Sequence, residues 1–138
     1  MMGTDLQPIT IRVPAVAYTG ASQELPLGSV AVNARILAAR LIAQTDITGH
    51  TTNYSTLTIK RKGAAGTATT AVATLALTSG VDVKAFVPKA ITLTTTKANL
   101  ELSAGHALSW SWVEAGSGLD LPDAVIEVDL ALGYGGGI

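Results

Sequence analysis

Tyr54-Ser55-Thr56-Leu57-Thr58-Ile59-Lys60-Arg61-Lys62 sends Tyr54, Thr56, Thr58 and Lys60 to one side of an extended chain. Ser55, Leu57, Ile59 and Arg61 go to the other. Side chains of a strand alternate with period two, so the segment reads as a half-buried β-strand. Gly63 to Gly66 marks a turn. Thr69 to Leu77 follows it, with Ala71, Ala73, Leu75 and Leu77 opposing Val72, Thr74 and Ala76. Two alternating runs around a glycine turn read as antiparallel strands.

The same alternation extends in both directions. Downstream, Ser79-Gly80 breaks the chain and Ala85 to Pro88 leads into Ile91 to Thr95. Asn99 to Leu102 runs to the turn Ala104-Gly105-His106, and Leu108 to Val113 forms a strand. Gly116 to Gly118 is a loop before the last long strand, Ala124 to Leu132, in which Val125, Glu127 and Asp129 alternate with Ile126, Val128 and Leu130. Upstream, Ile9, Ile11 and Val13 alternate with Thr10 and Arg12, and Pro14 confines that segment to an edge or an arm. Gly20 to Leu27, with Pro26, reads as a loop. Val30 to Gln44 carries both periods. Val32, Ile36 and Leu37 suit a helix, whereas Val32, Ala34, Ile36 and Ala38 suit one face of a strand, and its β neighbours favour the strand.

About eight short strands with turn signals every 8 to 12 residues predict an all-β sandwich, in a Greek-key or jelly-roll order. The expected division is an N-terminal arm and edge segment over 1–27 and a sandwich over 28–138. The chain of 138 residues has Thr at 18 positions, a residue suited to pleated surfaces. Hydrophobic residues reach 48% while aromatics are only 4%, so Ala, Val, Leu and Ile must fill the core. Charged residues make up 14%, well below the roughly 25% of ordinary domains. A surface so poor in charge is coated with Thr and Ser or covered by other protein. The net charge of −1 lacks the basic footprint of a nucleic-acid binder. No apolar stretch is long enough to cross a bilayer as a helix, and Met1 to Asp5 shows no basic n-region of a secretion signal. The chain is thus expected to be made in the cytoplasm, with no nucleic-acid or membrane partner.

Little in the sequence points to catalysis or a cofactor. There is no cysteine, which excludes disulfides and thiolate metal sites. His50 and His106 fall in turns with no second ligand at metal spacing. Asp120, Asp123, Glu127 and Asp129 do not form the Asp-x-Asx-x-Asx-Gly calcium framework, and Glu127 and Asp129 read as the solvated face of the last strand. Gly133 to Gly137 is glycine-rich, but no helix follows it to bind phosphate. Lys60-Arg61-Lys62 is the one basic run, read as a solvated hairpin tip or a contact for an acidic protein surface. Trp110 and Trp112 share a strand face with Leu108. A chain so poor in aromatics needs them in its core; exposed, they would join Tyr54 in stacking on sugar rings.

From Thr52 onward a run of segments carries a resemblance. They are Thr52-Asn-Tyr-Ser-Thr-Leu-Thr-Ile59, Val72-Ala-Thr-Leu75, Ala85-Phe-Val-Pro88, Ile91-Thr-Leu93, Ala98-Asn-Leu-Glu-Leu102, Ala104-Gly105 and Gly116-Ser-Gly-Leu-Asp-Leu-Pro122. In this order they resemble tailed-bacteriophage virion proteins, in particular jelly-roll head decoration (cement) proteins. His106 departs from the pattern, standing where relatives often carry an acidic residue after the turn glycine. The resemblance implies a non-enzymatic virion protein. It would sit as a homotrimer on local three-fold axes, on the outer surface of the mature head, holding major capsid subunits together. Contacts with the capsid or a neighbouring subunit would come from Leu6, Ile9, Ile11, Val13 and Tyr18 in the arm, by strand addition, and from Lys60, Arg61 and Lys62. Similar jelly rolls occur in phage fibres and tails, which leaves a carbohydrate- or receptor-binding module using Tyr54, Trp110 and Trp112 as the alternative. A sandwich-fold glycosidase or lyase is a third reading without a catalytic constellation behind it.

Overall fold

A computed structural model describes residues 7–133. Its strands are β1 (Gln7–Ala15), β2 (Ser22–Ser29), β3 (Ala34–Ala43), β4 (Ser55–Arg61), β5 (Thr70–Ala76), β6 (Lys89–Ala90), β7 (Thr92–Leu93), β8 (Glu101–Leu102), β9 (Ala107–Glu114) and β10 (Ala124–Leu132). One antiparallel sheet runs β1-β10-β3, with β6 and β8 both on the far side of β3. The other runs β2-β9-β4-β5-β7. Strands β1 to β4 step from one sheet to the other in turn, and β9 to β10 does so again. This is the jelly-roll order, with the strand between β5 and β9 broken into the short pieces β6 and β8, between which β7 crosses to pair with β5 in the other sheet. A 3-10 turn, Lys97–Leu100, lies within that broken segment.

The core lies between the sheets. Ile36 and Leu41 of β3, Leu57 and Ile59 of β4, Leu108, Trp110 and Trp112 of β9, and Ile126, Val128 and Leu130 of β10 are each 1% exposed or less. Aliphatic residues and two indoles thus fill the space as the composition requires.

Val30 to Gln44 contains the strand β3, and its mixed period has a physical cause. Ile36 opposes Leu130 and Ala38 opposes Asp129, so Leu37 is an extra residue with no partner on β10. This bulge shifts the phase of alternation. The inward residues are Ala34, Ile36, Ala39, Leu41 and Ala43, and the three-residue step from Ile36 to Ala39 mimics a helical face. A similar shift between Pro26 and Gly28 leaves Leu27 as the extra residue in β2.

Of the edge or arm expected for the N-terminal segment, residues 7–15 form the edge and not a free arm. Gln7 to Ala15 pairs with β10 over nine residues without a register shift, as the edge strand of its sheet. Gly20 to Leu27, read as a loop, mostly forms β2, which pairs with β9. A boundary at 27/28 therefore cuts through a strand, and residues 7–29 contribute to both sheets. Pro26 suggested a loop, but β2 is also an edge strand, where a missing N–H is tolerated.

Candidate docking end of the sandwich

Four connections gather at one end of the molecule: 16–21, 44–54, 77–88 and 115–123. They meet because β1 ends and β10 begins at the pair Ala15 and Ala124, and β3 ends at Ala43, also opposite Ala124. The loops are held by short polar side chains that accept backbone N–H groups. Asp123 accepts from Ala17 at 2.7 Å, Asp82 from Gly49 at 2.8 Å, and Asp46 from Ala85 at 2.7 Å. Nδ1 of His50 accepts from Thr52 and Asn53, and Oδ1 of Asn53 accepts from Ser117. Backbone bridges join Tyr18 to Leu121 and Ile47 to Val83. Each bond satisfies a loop amide that strand pairing leaves free.

On this pinned frame the chain presents its one phenylalanine to solvent. Phe86 is 73% exposed and Val87 beside it 55%. Phe86 has φ of 62°, and it is the one non-glycine residue with positive φ among the described residues. A bulky residue in that region costs about 1–3 kcal/mol and persists only where its surroundings fix it. Here the fixing bonds are Phe86 N–H to the Ala43 carbonyl at 2.8 Å and Val87 N–H to the Lys84 carbonyl at 3.0 Å. Phe86 itself, with Ile42, Ala43, Gln44, Asp123, Ala124 and Val125, lines an apolar cleft of about 330 Å³.

The residues singled out in the sequence fall elsewhere. Leu6 lies outside the described residues. Ile9 is 41% exposed, whereas Ile11 and Val13 are half-buried against the core. Strand addition along β1 is opposed by its own prolines. Pro8 and Pro14 fall on the same side of the strand, and the unbroken register with β10 places that side outward, so the free edge offers donors at Thr10 and Arg12 alone. Half-buried Tyr18 donates its hydroxyl to the Ser22 carbonyl, and its backbone is held at Leu121.

Lys60, Arg61 and Lys62 are not a free basic tip. Lys62 and Lys60 approach Glu24 at 2.9 and 3.9 Å, and Ser109 Oγ donates to the same carboxylate at 2.5 Å. The Ser109 hydroxyl, then Lys62, hold the Glu24 carboxyl below its usual range. Arg61 follows Leu57 and Ile59 on the inward face and donates to the carbonyls of Ala98 and Glu101, closing the other end of the core.

Trp110 and Trp112 are 1% and 0% exposed, so neither ring has a face free for a sugar. Half-buried Tyr54 has no aromatic partner there for a stacking platform. Glu127 corrects the expectation of a solvated face: it is buried at 7% exposure, between Arg12 at 2.5 Å and Arg40 at 2.6 Å. Arg40 also reaches Asp129 at 2.8 Å. Arg12 first, then Arg40, keep Glu127 below the usual carboxylate range, and Arg40 does the same for Asp129.

No group of three or more His, Cys, Asp or Glu side chains that could hold a metal occurs among the described residues. No helix among them is long and apolar enough to cross a membrane. Phe86 was not legible as an exposed residue: a lone aromatic two residues before Pro88 is the signal the sequence carries, and it says nothing of the backbone conformation.

The fold defines the chain as a jelly-roll β-sandwich. No protein-family model matches it, and none of the curated proteins matches it. Among solved structures it is similar to a chain in the structure of the infectious bursal disease virus Gx strain. The TM-score is 0.47 and the identity 17%, over 94% of this chain and 33% of that one. The chain thus spans about a third of the length of the viral chain it matches.

Proposed function

We propose that this protein is a structural virion protein: a decoration, or cement, protein that binds the mature head of a tailed phage as a homotrimer at local three-fold axes. The observation that carries this reading is the jelly roll itself. The segments resembling decoration proteins fall on strands and turns of both its sheets, from β4 to the loop before β10. The pinned loops are in keeping with a docking module, since they present apolar side chains without ordering flexible segments on binding. A protein that binds only the expanded shell stabilises it by mass action, and repeated weak contacts add through multivalency. Its partner in this reading is the major capsid protein, and its place is the outer surface of the head.

The test is co-sedimentation of the purified chain with expanded and unexpanded heads of the phage that encodes it. Saturable binding to expanded heads, together with a raised melting temperature of the shell, is expected. Absence of binding to expanded heads sinks the proposal.

A further inference from the structure

We propose that His50 is an acid-released clasp: protonation of its imidazole frees the 51–53 turn and, with it, the hold of Asn53 on Ser117 in the facing loop. The inference is independent of the virion role, since it rests on hydrogen-bond geometry.

Nδ1 of His50 lies 3.1 Å from the backbone nitrogen of Thr52 and 2.9 Å from that of Asn53. Both are amide nitrogens that only donate, so Nδ1 accepts from both and carries no hydrogen. The ring is then the neutral tautomer with its hydrogen on Nε2. A protonated imidazole has hydrogens on both nitrogens and accepts nothing. Uptake of one proton therefore removes two hydrogen bonds together and places a donor against two donors.

The two amides hold more than their own turn. Asn53, one of the donors, accepts from the Ser117 N–H through its own Oδ1 at 3.0 Å. The fit is close, for a Cβ on Gly116 would stand 2.3 Å from that oxygen. On either side the frame has ties that need no imidazole. The His50 N–H donates to the Leu77 carbonyl at 3.1 Å, and the Ala115 N–H to that of Tyr54 at 2.8 Å. Ser55 and Leu119 bond to each other beyond them. The release is thus confined to residues 51–53 and 116–118. The charged groups on the surrounding connections are Asp46, Asp82, Lys84, Glu114, Asp120 and Asp123. Asp82, Asp46 and Asp123 accept from backbone amides, Lys84 stands beside Asp46, and none of the six pairs with the imidazole.

Nuclear magnetic resonance of the full chain between about pH 7.5 and about pH 5, the range over which histidines charge, tests this with His50→Asn and His50→Ala. An Asn side chain accepts from amides just ahead of it in the chain and does not titrate. In the wild type, exchange protection at Thr52 and Asn53, corrected for the intrinsic effect of pH, is expected to fall about tenfold in acid. Ser117 should follow, while the His50 and Leu119 amides keep their protection. The Thr52 and Asn53 amide shifts should move in step with the His50 ring carbons. His50→Asn is expected to stay protected throughout, and His50→Ala to lack the protection at both ends. Wild-type protection that survives titration of the His50 ring overturns the inference. An equal fall in wild type and His50→Asn also overturns it, because another group would then be titrating. His106 is no substitute, since it precedes the end of β9 that pairs with Arg61, at the opposite end of the sandwich. Should His50→Asn misfold, the wild type decides alone: amide shifts that do not track the ring overturn the clasp.

Discussion

Ser55 and Leu119 exchange two hydrogen bonds across the sandwich end: Ser55 Oγ donates to the Leu119 carbonyl at 3.0 Å, and the Leu119 N–H donates back to Oγ at 2.8 Å. Trp112 Nε1 donates to the same carbonyl at 3.1 Å. Ser55 is fully buried, so a single hydroxyl ties the loop before β10 to the first residue of β4 and orients an indole in the core. Replacing it with Ala leaves the half-buried Leu119 amide without its acceptor. Ser55→Ala is expected to cost about 1–3 kcal/mol. Urea unfolding measures the cost, and a loss below a few tenths of a kcal/mol contradicts it.

Acid should weaken the sheet through Glu127 and Asp129. Both carboxyls titrate lower in the folded state than when unfolded, because Arg12 and Arg40 bond to their charged forms. Their stabilisation is therefore complete above the unfolded values and lost as pH falls through the folded ones. Urea midpoints should decline from about pH 5 toward about pH 2. Glu127→Gln should lose about 1–3 kcal/mol at neutral pH and decline less steeply in acid. Equal slopes for the two proteins would remove this network as the source.

Gly49 has no room for a side chain. A Cβ there would stand 1.9 Å from the Thr78 carbonyl oxygen and 2.5 Å from that of Val81. Both neighbours are backbone and cannot swing away. Gly49→Ala should push apart the loops that Asp82 joins, costing about 1–3 kcal/mol. Amide exchange at Gly49 and Val83 should speed up; unchanged protection at both contradicts the close approach.

The prolines of β1 should matter more to solubility than to stability. Pro8→Thr combined with Pro14→Thr adds two outward N–H donors to an edge that now has them at Thr10 and Arg12. The double variant should aggregate faster at equal concentration, followed by light scattering at physiological temperature. Matching aggregation rates would show that the edge is protected by something else.

Much of the sandwich was legible because period-two alternation survives wherever a strand has one wet face, as in β4. It blurred at β3, where the bulge at Leu37 inserts a residue, and failed at β2, where Pro26 reads as a loop signal although an edge strand tolerates it. Arg61 could be placed with Leu57 and Ile59 by spacing alone, yet its bonds to Ala98 and Glu101 span about forty residues of chain. The candidate docking end was least legible. Its elements come from four separate loops, and no local pattern announces that Phe86 adopts positive φ.

By itself the sequence determined the all-β class, the aliphatic core around two tryptophans and the absence of cysteine chemistry. These follow from composition and from side-chain alternation, which act over a few residues. Only the tertiary structure decided that the N-terminal segment is an edge strand, that Glu127 is buried between two arginines, and that Phe86 lines an open cleft. Each of those depends on which distant segments pair, and pairing is settled by the packing of two whole sheets.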